Sequence, residues 1–119
     1  MNRQPPCSYR TLGIEPFRIR SERSSADTVV VHVTGAIDLR TAPVLAEVLT
    51  SHLRVPEPLT NLSADLDAVS FLSVRGVGVL LVVAGDAARS GTTFSVRGCS
   101  PALRRVFEIL GVTDSLIVG

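Results

Sequence analysis

The sequence predicts an α/β protein in which a mixed sheet of four or five strands is covered by helices. Nearly continuous β-branched and apolar runs have the composition of buried strands, and they alternate with segments of helical periodicity. The 119 residues suffice for one core, and 45% hydrophobic and 19% charged residues are ordinary for a globular protein. We therefore expect one domain over residues 16–119 after a flexible tail, residues 1–15, which shows no periodicity.

The first third of the domain predicts a hairpin followed by a helix. Phe17–Arg20 alternates apolar and charged residues, which suits a half-exposed edge strand, and Thr28–Thr34 is a β-branched run typical of a buried strand. Ser24–Asp27 forms the turn between them. A helix then runs from about Thr41 to His52, with Thr41 as its N-cap.

The centre of the chain predicts a buried strand, a tight turn and an apolar helix. The strand runs from Leu59 to Phe71, and Ser73 lies where the cap of the next helix belongs. From Val77 to Ala88 only Asp86 is charged, so we expect this helix to be packed on most of its surface. The glycines of the turn, Gly76 and Gly78, are expected to permit close backbone packing.

The last third predicts a short strand and a third helix. Thr92–Arg97 has strand composition, and Ser100 followed by proline is typical of a helix start. Gly111 ends that helix. Leu116–Val118 either forms a last short strand or packs loosely against the domain.

The stretch from Phe71 to Leu80 resembles the signature loop of STAS domains, the fold of bacterial anti-sigma factor antagonists. Those proteins carry Phe-aliphatic-Asp-Ser-Ser-Gly followed by Leu-Gly-Val-Leu. In this chain the family's Asp is replaced by Ser73 and its two serines by Val74 and Arg75. Val33–Asp38 and Cys99–Val112 are similar to two further family blocks, so the resemblance covers roughly residues 17–118. The matching residues are Phe71, Leu72, Gly76, Gly78, Val79 and Leu80.

This resemblance implies a non-enzymatic regulatory protein that binds an anti-sigma factor of the histidine-kinase-like ATPase fold and so releases a sigma factor. The alternative is a STAS scaffold or sensor subunit of a stress-signalling assembly, in which the domain oligomerises. Formation of a homodimer stays open. The residues that the resemblance assigns to partner binding are Asp38, Thr41, Ser73, Val74, Arg75, Gly76 and Gly78.

Arg75 stands where the family has its phosphoacceptor serine. We therefore expect no phosphorylation at position 75, with Ser73 as the alternative acceptor. A cation in the first turn of a helix opposes the helix dipole by roughly 0.3–1 kcal/mol, and a locally unfavourable residue can mark function. Arg75 either belongs to an altered interface, permanently active or matched to an acidic partner, or is a solvent-exposed side chain without a role.

Other function classes have little support in the residues. The chain lacks a nucleophile elbow, a phosphate-binding loop and metal-ligand spacing, so we expect no enzyme activity, no cofactor and no metal. His32 is interpreted as a strand-surface or satisfied core residue. A net charge of +1 and few aromatic residues argue against nucleic acid binding.

No apolar run reaches membrane-spanning length and the first residues lack an apolar signal, so we expect a cytoplasmic protein without a membrane contact. Two cysteines are too few for a disulfide framework. Cys99 precedes a predicted helix, where a thiolate could be stabilised. It is interpreted as a small, partly buried residue, and a redox pair of Cys7 with Cys99 is the alternative.

Overall fold

The computed structural model describes residues 16–57, 59–113 and 116–118. The predicted tail, residues 1–15, and Cys7 lie outside these residues. The described chain forms five strands and three helices, in the order β1 (Arg18–Ser25), β2 (Thr28–Ile37), α1 (Ala42–Ser51), β3 (Asn61–Leu72), α2 (Val74–Arg89), β4 (Thr93–Arg97), α3 (Pro101–Ile109) and β5 (Ile117–Val118).

The strands form one sheet in the order β1-β2-β3-β4-β5. β1 pairs antiparallel with β2 across a tight turn, and every other neighbouring pair is parallel. The prediction of a mixed sheet with an N-terminal hairpin is confirmed. Ile117–Val118 is a strand rather than a loosely packed segment.

The long strand β3 brings two loops to one end of the sheet. β3 pairs with β4 only over Asn61–Asp65, whereas its pairing with β2 continues to Leu72, opposite Ile37. The carboxyl ends of β2 and β3 therefore extend beyond β4 together. The segments that follow these two ends, before α1 and before α2, lie side by side.

The core lies on one face of the sheet. Because side chains alternate along a strand, Val29, Val31 and Val33 point to one face of β2, and all three belong to the core cluster. The helices close this face with buried side chains. These are Ala42, Leu45 and Leu49 of α1, Val77, Leu80, Val83 and Ala87 of α2, and Leu103 and Phe107 of α3.

Over Val77–Ala88, α2 is packed on most of its surface, as expected, since only Val82 and Ala88 are exposed there. Val82 is 62% exposed, and Val74, in the first turn of the helix, is 70% exposed. Phe71, assigned to a buried strand, is 55% exposed. Within the part of the chain that the structure describes, no helix is long and apolar enough to span a bilayer.

Candidate functional site

The segments that follow β2 and β3 are joined by a backbone hydrogen bond. The N–H of Ser73 donates to the carbonyl oxygen of Ile37 at 2.9 Å. This bond brings the Asp38–Thr41 loop and the Ser73–Gly76 turn together.

The Asp38–Thr41 loop is shaped by its own side chains. Asp38 Oδ1 accepts hydrogen bonds from the backbone N–H groups of Arg40, at 2.9 Å, and Thr41, at 3.0 Å. The Thr41 N–H, followed by the N–H of Arg40 and the Thr41 hydroxyl, holds the pKa of the Asp38 carboxyl below its usual value. The loop therefore presents an ionised carboxylate at neutral pH.

Thr41 stands at the N-cap of α1, but its side chain does not cap the helix. The Thr41 hydroxyl donates to the carbonyl oxygen of Ala36 at 2.8 Å and accepts from the N–H of Asp38 at 2.8 Å. Thr41 therefore has the predicted N-cap position, but its side chain does not accept the predicted hydrogen bond from the first turn of the helix. The side chain ties the loop back to β2 instead.

The Ser73–Gly76 turn has the predicted cap. Ser73 Oγ accepts a hydrogen bond from the N–H of Gly76 at 3.1 Å. Gly76 is buried against the sheet, since an added Cβ would lie 2.7 Å from Ile37 Cγ2 and 2.7 Å from Leu72 Cδ1. Close packing at Gly76 is confirmed. At Gly78 it is wrong, because an added Cβ would have no atom within 4 Å.

Val74 and Arg75 project outward from this turn. The ion pairs within the described residues involve the basic side chains of Arg20, His32 and Arg89, so Arg75 forms none there. The surface therefore offers an exposed apolar side chain beside an unpaired guanidinium group.

An apolar groove of about 700 Å³ runs between α1 and α2 and reaches this turn. One of the residues that line the groove is Leu39, which belongs to the loop before α1 and is 67% exposed. Among the described residues of the lining, Arg75 is the only charged one and Thr50 the only other polar one. Neither the groove nor the exposure of Leu39 is predicted by the sequence. The apolar lining is completed by Ala46, Val74, Gly78, Val79, Val82 and Val83.

A polar cluster lies on the sheet face opposite the core, away from this site. His32 Nδ1 is 2.8 Å from Asp65 Oδ2, and His32 Nε2 is 2.7 Å from Glu22 Oε1. The bond to His32, followed by the charge of Arg20, lowers the pKa of Glu22. His32 therefore links three neighbouring strands, which agrees with its interpretation as a satisfied strand residue.

Cys99 is half-buried just before α3. Burial raises the pKa of its thiol, and Arg104 opposes that shift. Cys99 is thus partly buried, as interpreted, and its thiolate is not stabilised, because desolvation outweighs the charge of Arg104. Among the described residues, no group of three or more His, Cys, Asp and Glu side chains is placed to hold a metal ion.

Residues 21–119 match the family model described as "Mlab, STAS domain", and the chain belongs to the STAS domain family. Anti-sigma-B factor antagonist of Listeria monocytogenes is 31% identical over 96 residues, 81% of this chain and 82% of that protein. The Bacillus subtilis protein of the same name is 29% identical, over 77% of this chain and 82% of its own length.

A crystal structure shows the same relationship. An anti-sigma factor antagonist from Mycobacterium paratuberculosis matches with a TM-score of 0.75 and 28% identity, over 87% of this chain and 85% of that chain. Within the STAS family, the chain is thus related to the anti-sigma factor antagonists, at moderate identity. The recognition made from the signature loop is confirmed.

Proposed function

We propose that this protein is an anti-sigma factor antagonist that binds an anti-sigma factor of the histidine-kinase-like ATPase fold and thereby releases a sigma factor. The observation that carries the proposal is the joining of the Asp38–Thr41 loop to the Ser73–Gly76 turn by the 2.9 Å hydrogen bond between Ser73 and Ile37. The names of the related proteins support an antagonist function. The protein acts by binding and carries out no reaction of its own.

We further propose that no phosphoryl group is placed at position 75. Phosphorylation needs a hydroxyl, and a phosphate at this turn would add about −1.5 to −2 charges. Arg75 instead keeps the turn positively charged. The neighbouring hydroxyl of Ser73 is engaged by the N–H of Gly76, so a kinase would have to displace the helix cap to reach it. The antagonist is then fixed in its binding state and regulated by its amount.

The experiment uses the kinase-fold anti-sigma factors encoded in the same genome, each purified and titrated with the full chain in the presence of Mg-ATP. Binding is followed by calorimetry and phosphorylation by intact mass. We expect at least one anti-sigma factor to bind the wild type without adding a phosphoryl group. Arg75→Ser should gain one phosphoryl group, and Arg105→Ser, on the exposed side of α3, should gain none.

Two outcomes would contradict this proposal. Failure of every such anti-sigma factor to bind the wild type would remove the antagonist function and favour the scaffold. If an anti-sigma factor binds the wild type and also phosphorylates it, the antagonist function stands, but the proposal that the protein is fixed in its binding state is contradicted. Peptide mapping would then test Ser73 as the acceptor.

A further inference from the structure

The groove between α1 and α2 is an unusual surface for a chain of this size. Three of its large apolar side chains, Leu39, Val74 and Val82, are each more than 60% exposed. Scattered exposed apolar residues are ordinary, but a contiguous group along one groove marks an interaction site. Within the described part of the chain no carboxylate lines the groove, so Arg75 has no counter-charge from these residues there.

Gly78 adds an independent observation. It lies in the interior of α2, where glycine costs up to about 1 kcal/mol relative to alanine. At Gly76 a glycine is required despite this cost, because Ile37 and Leu72 leave no room for a side chain. Nothing comparable surrounds Gly78, whose missing Cβ would enter open space. The packing of the described residues does not require this glycine, which instead lines the groove.

The exposure of the lining also indicates what kind of occupant fits. Small-molecule sites bury about 70–90% of the ligand surface. A small ligand here would remain largely in water, because Leu39, Val74 and Val82, which form the outer part of the lining, are each more than 60% exposed. A protein segment, in contrast, is large enough to shield these side chains from water. Apolar contacts with a charged pair at their edge are typical of protein interfaces.

We propose that the groove receives a segment of the partner protein that places a branched apolar side chain over Gly78 and a carboxylate against Arg75. The inference rests on the proposed function for the existence of a partner and adds the chemistry that recognises it. Arg75 then acts as a specificity residue. A partner that carried a basic residue at this place would be rejected by repulsion between like charges.

The test measures dissociation constants between the full chain and the anti-sigma factor that binds the wild type. Gly78→Leu fills the groove and Arg75→Glu reverses its charge, and each should weaken binding by about tenfold or more. The matched controls are Gly85→Leu and Arg105→Glu. Gly85 is also a helix-interior glycine with no atom closer than 3.8 Å to an added Cβ, and neither control residue lines the groove. Both controls should stay within about twofold of the wild type.

Two further measurements make the result specific. Thermal unfolding of each variant, with Gly78→Ala as a smaller substitution, separates loss of binding from loss of folding. For Arg75→Glu, an Asp→Arg or Glu→Arg change at the partner's contact should restore affinity. If the anti-sigma factor binds the wild type, Gly78→Leu and Arg75→Glu with equal affinity, this inference is overturned and the proposed function stands. No binding by any anti-sigma factor would overturn both.

Discussion

Gly76 lies so close to Ile37 that a Cβ on the glycine would stand 2.7 Å from Ile37 Cγ2. Ile37 is fully buried, and its Cγ2 is fixed near the backbone of β2, so it cannot yield cheaply. We expect Gly76→Ala to lower the free energy of unfolding by about 1–2 kcal/mol, since overpacking outweighs the gain in helix propensity. Urea unfolding measures this change, and an unchanged stability would contradict the close contact.

Gly78→Ala should have the opposite sign. An added Cβ meets no atom within 4 Å, so only the helix propensity changes. We expect the free energy of unfolding to rise by about 0.5–1 kcal/mol. The same urea titration compares the two variants, which introduce one identical methyl group two residues apart. A loss of stability at Gly78 would show that this glycine has a structural role after all.

Acid should weaken the fold through Asp38. Its pKa is lowered in the folded protein, chiefly by the N–H of Thr41, so its stabilising effect is complete above the unfolded pKa of about 3.9. The effect is lost as the pH falls through the lower pKa of the folded state. Asp38→Asn should therefore flatten the decrease in unfolding free energy between about pH 5 and pH 2. The control is Glu57→Gln, at an exposed carboxylate outside this loop, and equal pH profiles for both variants would refute the role of Asp38.

His32 should stabilise the edge of the sheet. Its two ring nitrogens lie 2.7 Å from Glu22 Oε1 and 2.8 Å from Asp65 Oδ2. We expect His32→Ala to cost about 1 kcal/mol, because these partly exposed bonds are partly screened by solvent. Hydrogen exchange should increase mainly in β1. His52→Ala removes a single bond to Ser21 of the same strand and should raise this exchange less; an equal rise in both variants would argue against a specific cluster.

Cys99 should react slowly in the folded protein. Because burial raises the pKa of its thiol, less thiolate is present near pH 8 than for a free cysteine. The experiment alkylates Cys99 in a Cys7→Ser background, with the chain native or unfolded in urea. We expect the native rate to be lower, and a faster native rate would restore the interpretation of Cys99 as a reactive thiol.

The sequence predicts correctly those features that depend only on residues close together in the chain. Ser73 and Ser100 cap their helices through bonds to N–H groups three residues on, so the pattern that predicts the cap also contains its partner. Thr41 has the same pattern, yet its hydroxyl is turned back toward β2, where it donates to the carbonyl oxygen of Ala36 and accepts from the N–H of Asp38. The pattern alone does not show that these earlier residues engage the hydroxyl that would otherwise cap the helix.

The groove could not be predicted in this way. Its walls come from α1 and α2, which lie more than twenty residues apart in the chain, and its depth depends on how the two helices pack. An apolar sequence such as that of α2 predicts burial, but it cannot tell burial under the protein's own helices from exposure to another molecule. The apolar residues Val74 and Val82 are evident in the sequence, but the groove that they line is not.

The shape of the Ser73–Gly76 turn is held by the Ser73 cap and by the contact of Gly76 with Ile37. Val74 and Arg75 lie between these supports with exposed side chains. Substitutions at the two middle positions therefore change the chemistry of the surface at little cost to folding. After gene duplication, such a turn lets each copy acquire its own partner and its own mode of control through one or two codon changes. An organism can in this way keep several parallel regulators built on one scaffold without cross-talk between them.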